Sequence, residues 1–107
     1  MSEIVTVYAT FPSNAEAQRI ARTLVEERLA ACANLLGPCR AVYRWQGAIE
    51  EAAEVAALFK TRAGLAERLI ARLAELHPYE LPAAIVWPIA AALPAYSAWV
   101  VQETLPD

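Results

Sequence analysis

The stretch LAELHPYELPAAIVWP, from Leu73 to Pro88, holds the only histidine of the chain, His77, followed at once by Pro78, Tyr79 and Glu80. An imidazole beside a carboxylate can ligate a metal, act as a base, or end a helix and pack. The other donors are Cys32, Cys39, Glu50, Glu51 and Glu54. Cu(II) favours imidazole with further N or O donors, and Cu(I) favours thiolates. No HxxxH or CxxC spacing joins any two of these residues. A metal at His77 therefore needs Glu80, water or a neighbouring subunit to complete its shell. The competing reading is a ring that closes a helix and hydrogen-bonds a backbone carbonyl. Cys32 lies on an apolar segment and reads as a small buried hydrophobe. Cys39, beside Gly37-Pro38 and Arg40, reads as the more exposed and more reactive thiol.

A second constellation suits a small ligand. Tyr43, Arg44 and Trp45 share one strand pattern, Lys60 and Arg62 end another, and His77, Tyr79 and Glu80 follow a helix pattern. Such strand ends and a post-helix loop can converge on a cleft between subunits. Lys60 or Arg62 would then meet an anion. Alternatively they pair with Glu50, Glu54 or Glu80 and hold subunits together. The aromatics Tyr43, Trp45, Trp87, Tyr96 and Trp99 suit core or interface packing, and a ligand cage or base-stacking platform is the alternative.

Several function classes drop out. Glycines at 37, 47 and 64 draw no phosphate-binding or dinucleotide loop. Ser2, Ser13 and Ser97 have no triad context. Glu50 and Glu51 are adjacent, so on a strand they point to opposite faces and make no catalytic pair. No enzyme is expected. A net charge of −3 without a basic run argues against nucleic acid. No apolar run reaches the ~18–20 residues that cross a bilayer, and the acid at Glu3 does not suit a signal peptide. Reduced thiols and a cytoplasmic location are the simpler reading of two cysteines seven apart.

These side chains need a frame. The chain has 107 residues, enough for one domain over 1–107 with one core. Ile4 to Phe11 alternates as a strand, with Val5, Val7, Ala9 and Phe11 on one face. Pro12 stops it, and Ser13 with Glu16 forms a capping box for a helix running to about Leu29 or Ala30. Apolar residues 32–36, a break or bulge at Gly37-Pro38, and alternation from Arg40 to Gln46 make a second strand. Gly47 turns the chain into a third strand, Ala48 to Thr61. Leu65, Leu69, Leu73 and Leu76 line a second helix, which Pro78 ends at His77. Ala84 to Ile89 reads as a strand buried on both faces or against a neighbour. Pro94 starts a short terminal helix over about 95–102. The order β-α-β-β-α-β plus a tail helix is the α+β, ferredoxin-like sandwich. One sheet face lacks covering helices yet carries Tyr43, Trp45, Leu58 and Trp87. A hydrophobic share of 58% then points to an oligomer.

Four blocks in order resemble the CutA divalent-cation-tolerance family: RLAACANLLGP (28–38), VYRWQGAIEEAAEVAALFKTR (42–62), LHPYELPAAIVWPI (76–89) and PAYSAWV (94–100). The resemblance implies a homotrimer of PII-like architecture whose long hairpins pair edge to edge. It implies tolerance to copper and other divalent cations, no required cofactor, and a cytoplasmic location for bacterial members. In animals, relatives are linked to anchoring of acetylcholinesterase, so the family implies no enzyme. Of the positions the family proposes for copper, His77 is present, and the other donors this chain itself offers are Glu80, Cys39 and Cys32. Two positions depart from the family pattern: Ala83 stands where HPYExPE carries its last acid, and Ala9 where some members carry a cysteine. The usual Pro-Gly appears reversed, as Gly37-Pro38. The alternative function is a PII-like trimeric sensor that binds a small ligand or a protein partner in the intersubunit cleft.

Overall fold

The computed structural model describes residues 3–106. The elements are β1 (Ile4–Phe11), α1 (Asn14–Glu26), β2 (Cys32–Trp45), β3 (Ala48–Arg62), a single 3-10 turn (Ala63–Leu65), α2 (Ala66–Leu76), β4 (Ala84–Pro88) and α3 (Pro94–Glu103). The four strands form one antiparallel sheet in the order β2-β3-β1-β4. This is the ferredoxin-like α+β arrangement with its extra terminal helix.

Strand alternation decides which face meets the helices. Val7, Ala9 and Phe11 of β1 and Val55, Ala57 and Phe59 of β3 form the core with Ile20 and Leu24 of α1 and Leu69 and Leu73 of α2. Burying these aliphatic and aromatic side chains, at ~1.5–3 kcal/mol each, is the main stabilising term. Ser13 caps α1 as its hydroxyl accepts from the Glu16 N–H at 3.2 Å. The Glu16 carboxylate pairs with Arg19 at 2.6 Å, so that part of the expected capping box is diverted. Helix α1 stops at Glu26, three or four residues early. Arg28 takes a left-handed φ of 61°, and the Leu29 N–H turns back to the Leu24 carbonyl at 3.0 Å. No glycine marks that stop, which is why the sequence hides it.

The β2–β3 hairpin is longer than the sheet beneath it. Pro12 ends β1, so β3 has a β1 partner only from Val55 to Arg62. Residues 38–54 project as a two-stranded ribbon closed by a turn with positive φ at Gln46 and Gly47, the pattern of a type I′ hairpin. The molecule measures 45 × 27 × 22 Å as a result. β2 runs through Gly37-Pro38 without a break. A register shift between Leu35 and Gly37, with Gly37 at φ 94°, makes a bulge there. The extra residue flips the alternation, so Cys39, not Pro38, ends up opposite Glu54.

Of the two alternatives for β4, burial on both faces within the chain fails: it is an edge strand, and Ile85 and Trp87 remain 49% and 45% exposed. Pro88, which lacks an N–H to give a ladder, ends the strand before Ile89 and suits an edge. Helix α3 lies over one end of the second sheet face, where Val100 packs on Ile4 and Ala31. The rest of that face has no covering element.

Candidate functional site

Pro78 fixes where His77 points. It excludes helical geometry at the preceding residue, and His77 lies at φ −77°, ψ 138° as the residue that ends α2. The Arg19 guanidinium donates to the Leu76 carbonyl at 2.9 Å and holds that helix end against α1. The imidazole turns inward, 7% exposed, and stacks on Phe11 with 5.1 Å between centroids. The Tyr79 N–H donates to Nδ1 at 3.1 Å. That leaves the proton on Nε2, which donates to the Thr10 carbonyl at 2.7 Å. Thr10 lies one residue beyond the last β1–β4 pair, Ala9 and Ala84. His77 thus supplies the hydrogen bond that the missing next residue of β4 would have made. Both ring nitrogens serve backbone groups, and neither offers a free lone pair.

The chain of contacts continues outward. Tyr79 donates from its hydroxyl to Oε2 of Glu54 at 2.8 Å, and its ring tilts against His77 at 4.8 Å. Glu54 is only 8% exposed, and among the described residues no Lys or Arg pairs with it. Burial, followed by the Glu54 carboxylate that accepts its proton, pushes the Tyr79 hydroxyl up to about 12. Burial and the charges of Glu50 and Glu54 also raise Tyr43, whose hydroxyl lies 3.4 Å from Glu50.

These residues open onto a cavity of about 590 Å³ that runs along the hairpin ribbon, from Glu54 at its base to Trp45 beside its turn, and is bounded below by the loop after α2. Tyr8, Tyr43, Trp45 and Tyr79 give it aromatic walls, Glu50, Glu54 and Glu80 give it three carboxylates, and Arg44 gives one guanidinium. Tyr8 is braced from β4 by Trp87, stacked at 5.0 Å.

The structure gathers only part of the sequence-derived set. Tyr43, Trp45, Tyr79 and Glu80 line the cavity. His77 lies behind it. Lys60 does not face a carboxylate and instead bonds the Asn34 amide oxygen. Arg62 is spent on the Thr104 hydroxyl at 3.1 Å and its carbonyl at 2.8 Å, which fastens the end of α3. Neither makes the expected ion pair with Glu50, Glu54 or Glu80. Cys32 sits at the other end of the sheet face, its sulfur 3.3 Å from the Tyr96 hydroxyl. Cys39 pairs in register with Glu54 and Cys32 with Lys60. Six residues of β3 separate those positions, about 20 Å at 3.3 Å per residue, far beyond disulfide reach. Both thiols are free and both are half-buried, so the expected contrast in exposure between them is absent. Among the described residues no three of His, Cys, Asp and Glu come together as a metal site. The residue that sequence reading underweighted is Glu54. Its signal was its parity: it shares the strand face of Leu58 and Lys60, where a buried carboxylate needs a reason.

A ferredoxin-like sandwich with an acid-rich, aromatic-walled cavity places the chain among small α+β domains. The particular family follows from comparison with known chains. The chain belongs to the CutA1 divalent ion tolerance proteins, whose family model matches residues 5–103. The divalent-cation tolerance protein CutA of Pyrococcus horikoshii is 46% identical over 101 residues, 94% of this chain and 98% of that one. The crystal structure of CutA from Xylella fastidiosa superposes with a TM-score of 0.93 at 42% identity, covering 96% of this chain and 99% of that one. The periplasmic divalent cation tolerance protein CutA of Archaeoglobus fulgidus superposes with a TM-score of 0.92 at 33% identity, covering 95% and 99%.

Proposed function

We propose that this chain serves divalent-cation tolerance by binding Cu(II) or another divalent cation weakly in the acidic cavity, as a homotrimer in the cytoplasm. The observation that carries the reading is Glu54, a buried carboxylate with a tyrosine donor and no basic partner, in a cavity shared with Glu50 and Glu80. A buried charge without a counter-charge is costly, and a bound cation relieves it. Two or three carboxylates with water suit a hard or borderline divalent ion better than a buried imidazole does. With no three-ligand cluster on one chain, the affinity is low and water or a second copy completes the shell. No catalytic step is assigned.

The trimer is supported by apolar groups left in water: Val42 at 66%, Ile49 at 62% and Leu36 at 58% on the ribbon and the strand leading into it. A two-stranded ribbon alone is marginal in water, so pairing with other copies would stabilise it. The cytoplasmic location follows the family resemblance, although the Archaeoglobus relative is described as periplasmic.

Copper titration with electron paramagnetic resonance tests the site. The expected spectrum of the bound increment is oxygen-dominated, and Glu54→Gln removes that increment while His77→Phe keeps it. Nitrogen hyperfine structure that vanishes in His77→Phe and persists in Glu54→Gln returns the metal to His77 and refutes the reading. A second reading has its own observation. Aromatic walls around about 590 Å³ are more than a bare ion requires, and they favour a PII-like module that binds a small ligand in the cleft.

A further inference from the structure

We infer that the cavity bounded by Tyr8, Tyr43, Trp45, Tyr79, Glu50 and Glu54 is a binding site for organic ammonium compounds: a protonated amine on a compact apolar or aromatic body. The inference deepens the small-ligand reading above and rests on it.

Size comes first. About 590 Å³ falls within the ~300–1,000 Å³ range of small-molecule sites. A hydrated divalent ion leaves the aromatic walls without a partner, whereas an amine carrying a ring or short chain can lay its apolar body against them. Charge comes second. Three carboxylates and one guanidinium line the cavity, so its sign selects a cation. Arg44 is the only positive group there, and it sits on the hairpin next to Ile49 in register, one residue out of phase with Tyr43 and Trp45.

Wall chemistry comes third and separates an organic cation from a metal. Tyrosine hydroxyls and indole rings are poor metal ligands, but their faces attract ammonium groups, by ~0.5–2 kcal/mol per contact. Tyr8 is held rigid by stacking on Trp87, and Tyr79 is held by its hydroxyl to Glu54 and by His77 behind it. These rings are fixed before any ligand arrives, so little ordering entropy opposes binding. The ammonium N–H groups donate to the Glu54 carboxylate, which uses Oε2 for Tyr79 and, among the described residues, makes no ion pair. Such a charge-assisted hydrogen bond is the strong kind. Glu50, tied loosely to the Tyr43 hydroxyl at 3.4 Å, lies at the exposed rim.

Benzylamine, benzyl alcohol and benzoate have one shape and three charges, and ligand-observed NMR on the full chain ranks them. Benzylamine is expected to bind about tenfold or more tightly than benzyl alcohol, the factor that one charged contact supplies, and benzoate not at all. Glu54→Gln should bring the two within about twofold, and Glu50→Gln, on the exposed rim, should narrow the gap without risk to the fold. Glu51→Gln, on the opposite strand face and paired with Arg40 at 3.2 Å, should leave the ratio unchanged. Equal binding of amine and alcohol overturns the ammonium assignment and leaves the small-ligand reading standing. No binding of any of the three overturns both. A ratio that Glu54→Gln and Glu50→Gln both leave intact places the amine elsewhere and also overturns the assignment.

Discussion

Replacing His77 tests whether its ring is a structural plug or a spare ligand. His77→Ala removes two hydrogen bonds and a stacked ring at a site 7% exposed. The Thr10 carbonyl, on a residue 9% exposed, loses a 2.7 Å donor, and water reaches it poorly. A buried acceptor left bare costs about 1–3 kcal/mol. The Tyr79 N–H is only half-buried, so its lost 3.1 Å bond adds less, about 0.5–1 kcal/mol. Loss of the stacked contact with Phe11 adds about 0.5–1.5 kcal/mol. The expected total is about 2–5.5 kcal/mol, overlapping the range known for a cavity made in a core. His77→Phe keeps the ring on Phe11 and loses only the polar part, so it should cost about 1.5–4 kcal/mol. Urea unfolding by tryptophan fluorescence, at one fixed protein concentration because assembly shifts the midpoint, measures both. A loss below about 1 kcal/mol in His77→Ala would show that the two bonds do not hold the loop. So would equal losses in both variants with Cu(II) affinity abolished, since a ring needed for metal is not committed to Thr10 and Tyr79.

Two other outcomes follow from the site and the surface. Tyr79 holds its proton to about 12 when folded and gives it up near 10 when unfolded. The folded state therefore binds more protons between those values, and stability falls as pH rises from about 10 to about 12. Tyr79→Phe should flatten that fall and remove one late step from the ultraviolet titration of the tyrosines; an unchanged profile would place the late titration elsewhere. The assembly is tested by light scattering at micromolar concentration, where a mass near three times 11.7 kDa is expected. Val42→Glu and Ile49→Glu together, both on the exposed ribbon, should lower it toward one chain without unfolding the core, and a wild-type monomer would refute the trimer.

What the sequence revealed and what it concealed follow one physical division. Strand faces came through because burial repeats every second residue: Val7, Ala9 and Phe11 against Val55, Ala57 and Phe59 are legible as pattern. The loop after α2 came through because Pro78 acts on its own neighbour and leaves His77 one backbone region. The end of α1 did not, since Arg28 at φ 61° is imposed by the Leu29 and Ala30 N–H groups returning to Leu24, a local balance with no glycine to announce it. Of the candidate residues, Tyr43, Trp45, Tyr79 and Glu80 line the cavity, and His77, Lys60, Arg62, Cys32 and Cys39 do not. Lys60 and Arg62 looked like anion binders by charge, yet neutral oxygens on Asn34 and Thr104 took them. His77 looked like a ligand by type, yet its geometry completes a sheet edge. Glu54 looked like one more surface acid, and only the register that sets it opposite Cys39 and beneath Tyr79 makes it the buried charge of the cavity. The bulge at Gly37 decides this. Without its extra residue, Tyr43 and Trp45 would point to the other face of the ribbon, and the cavity would keep only Tyr8 and Tyr79 as aromatic walls. The bulge at Gly37, in the pair that departs from the family pattern, therefore decides which ribbon side chains line the cavity.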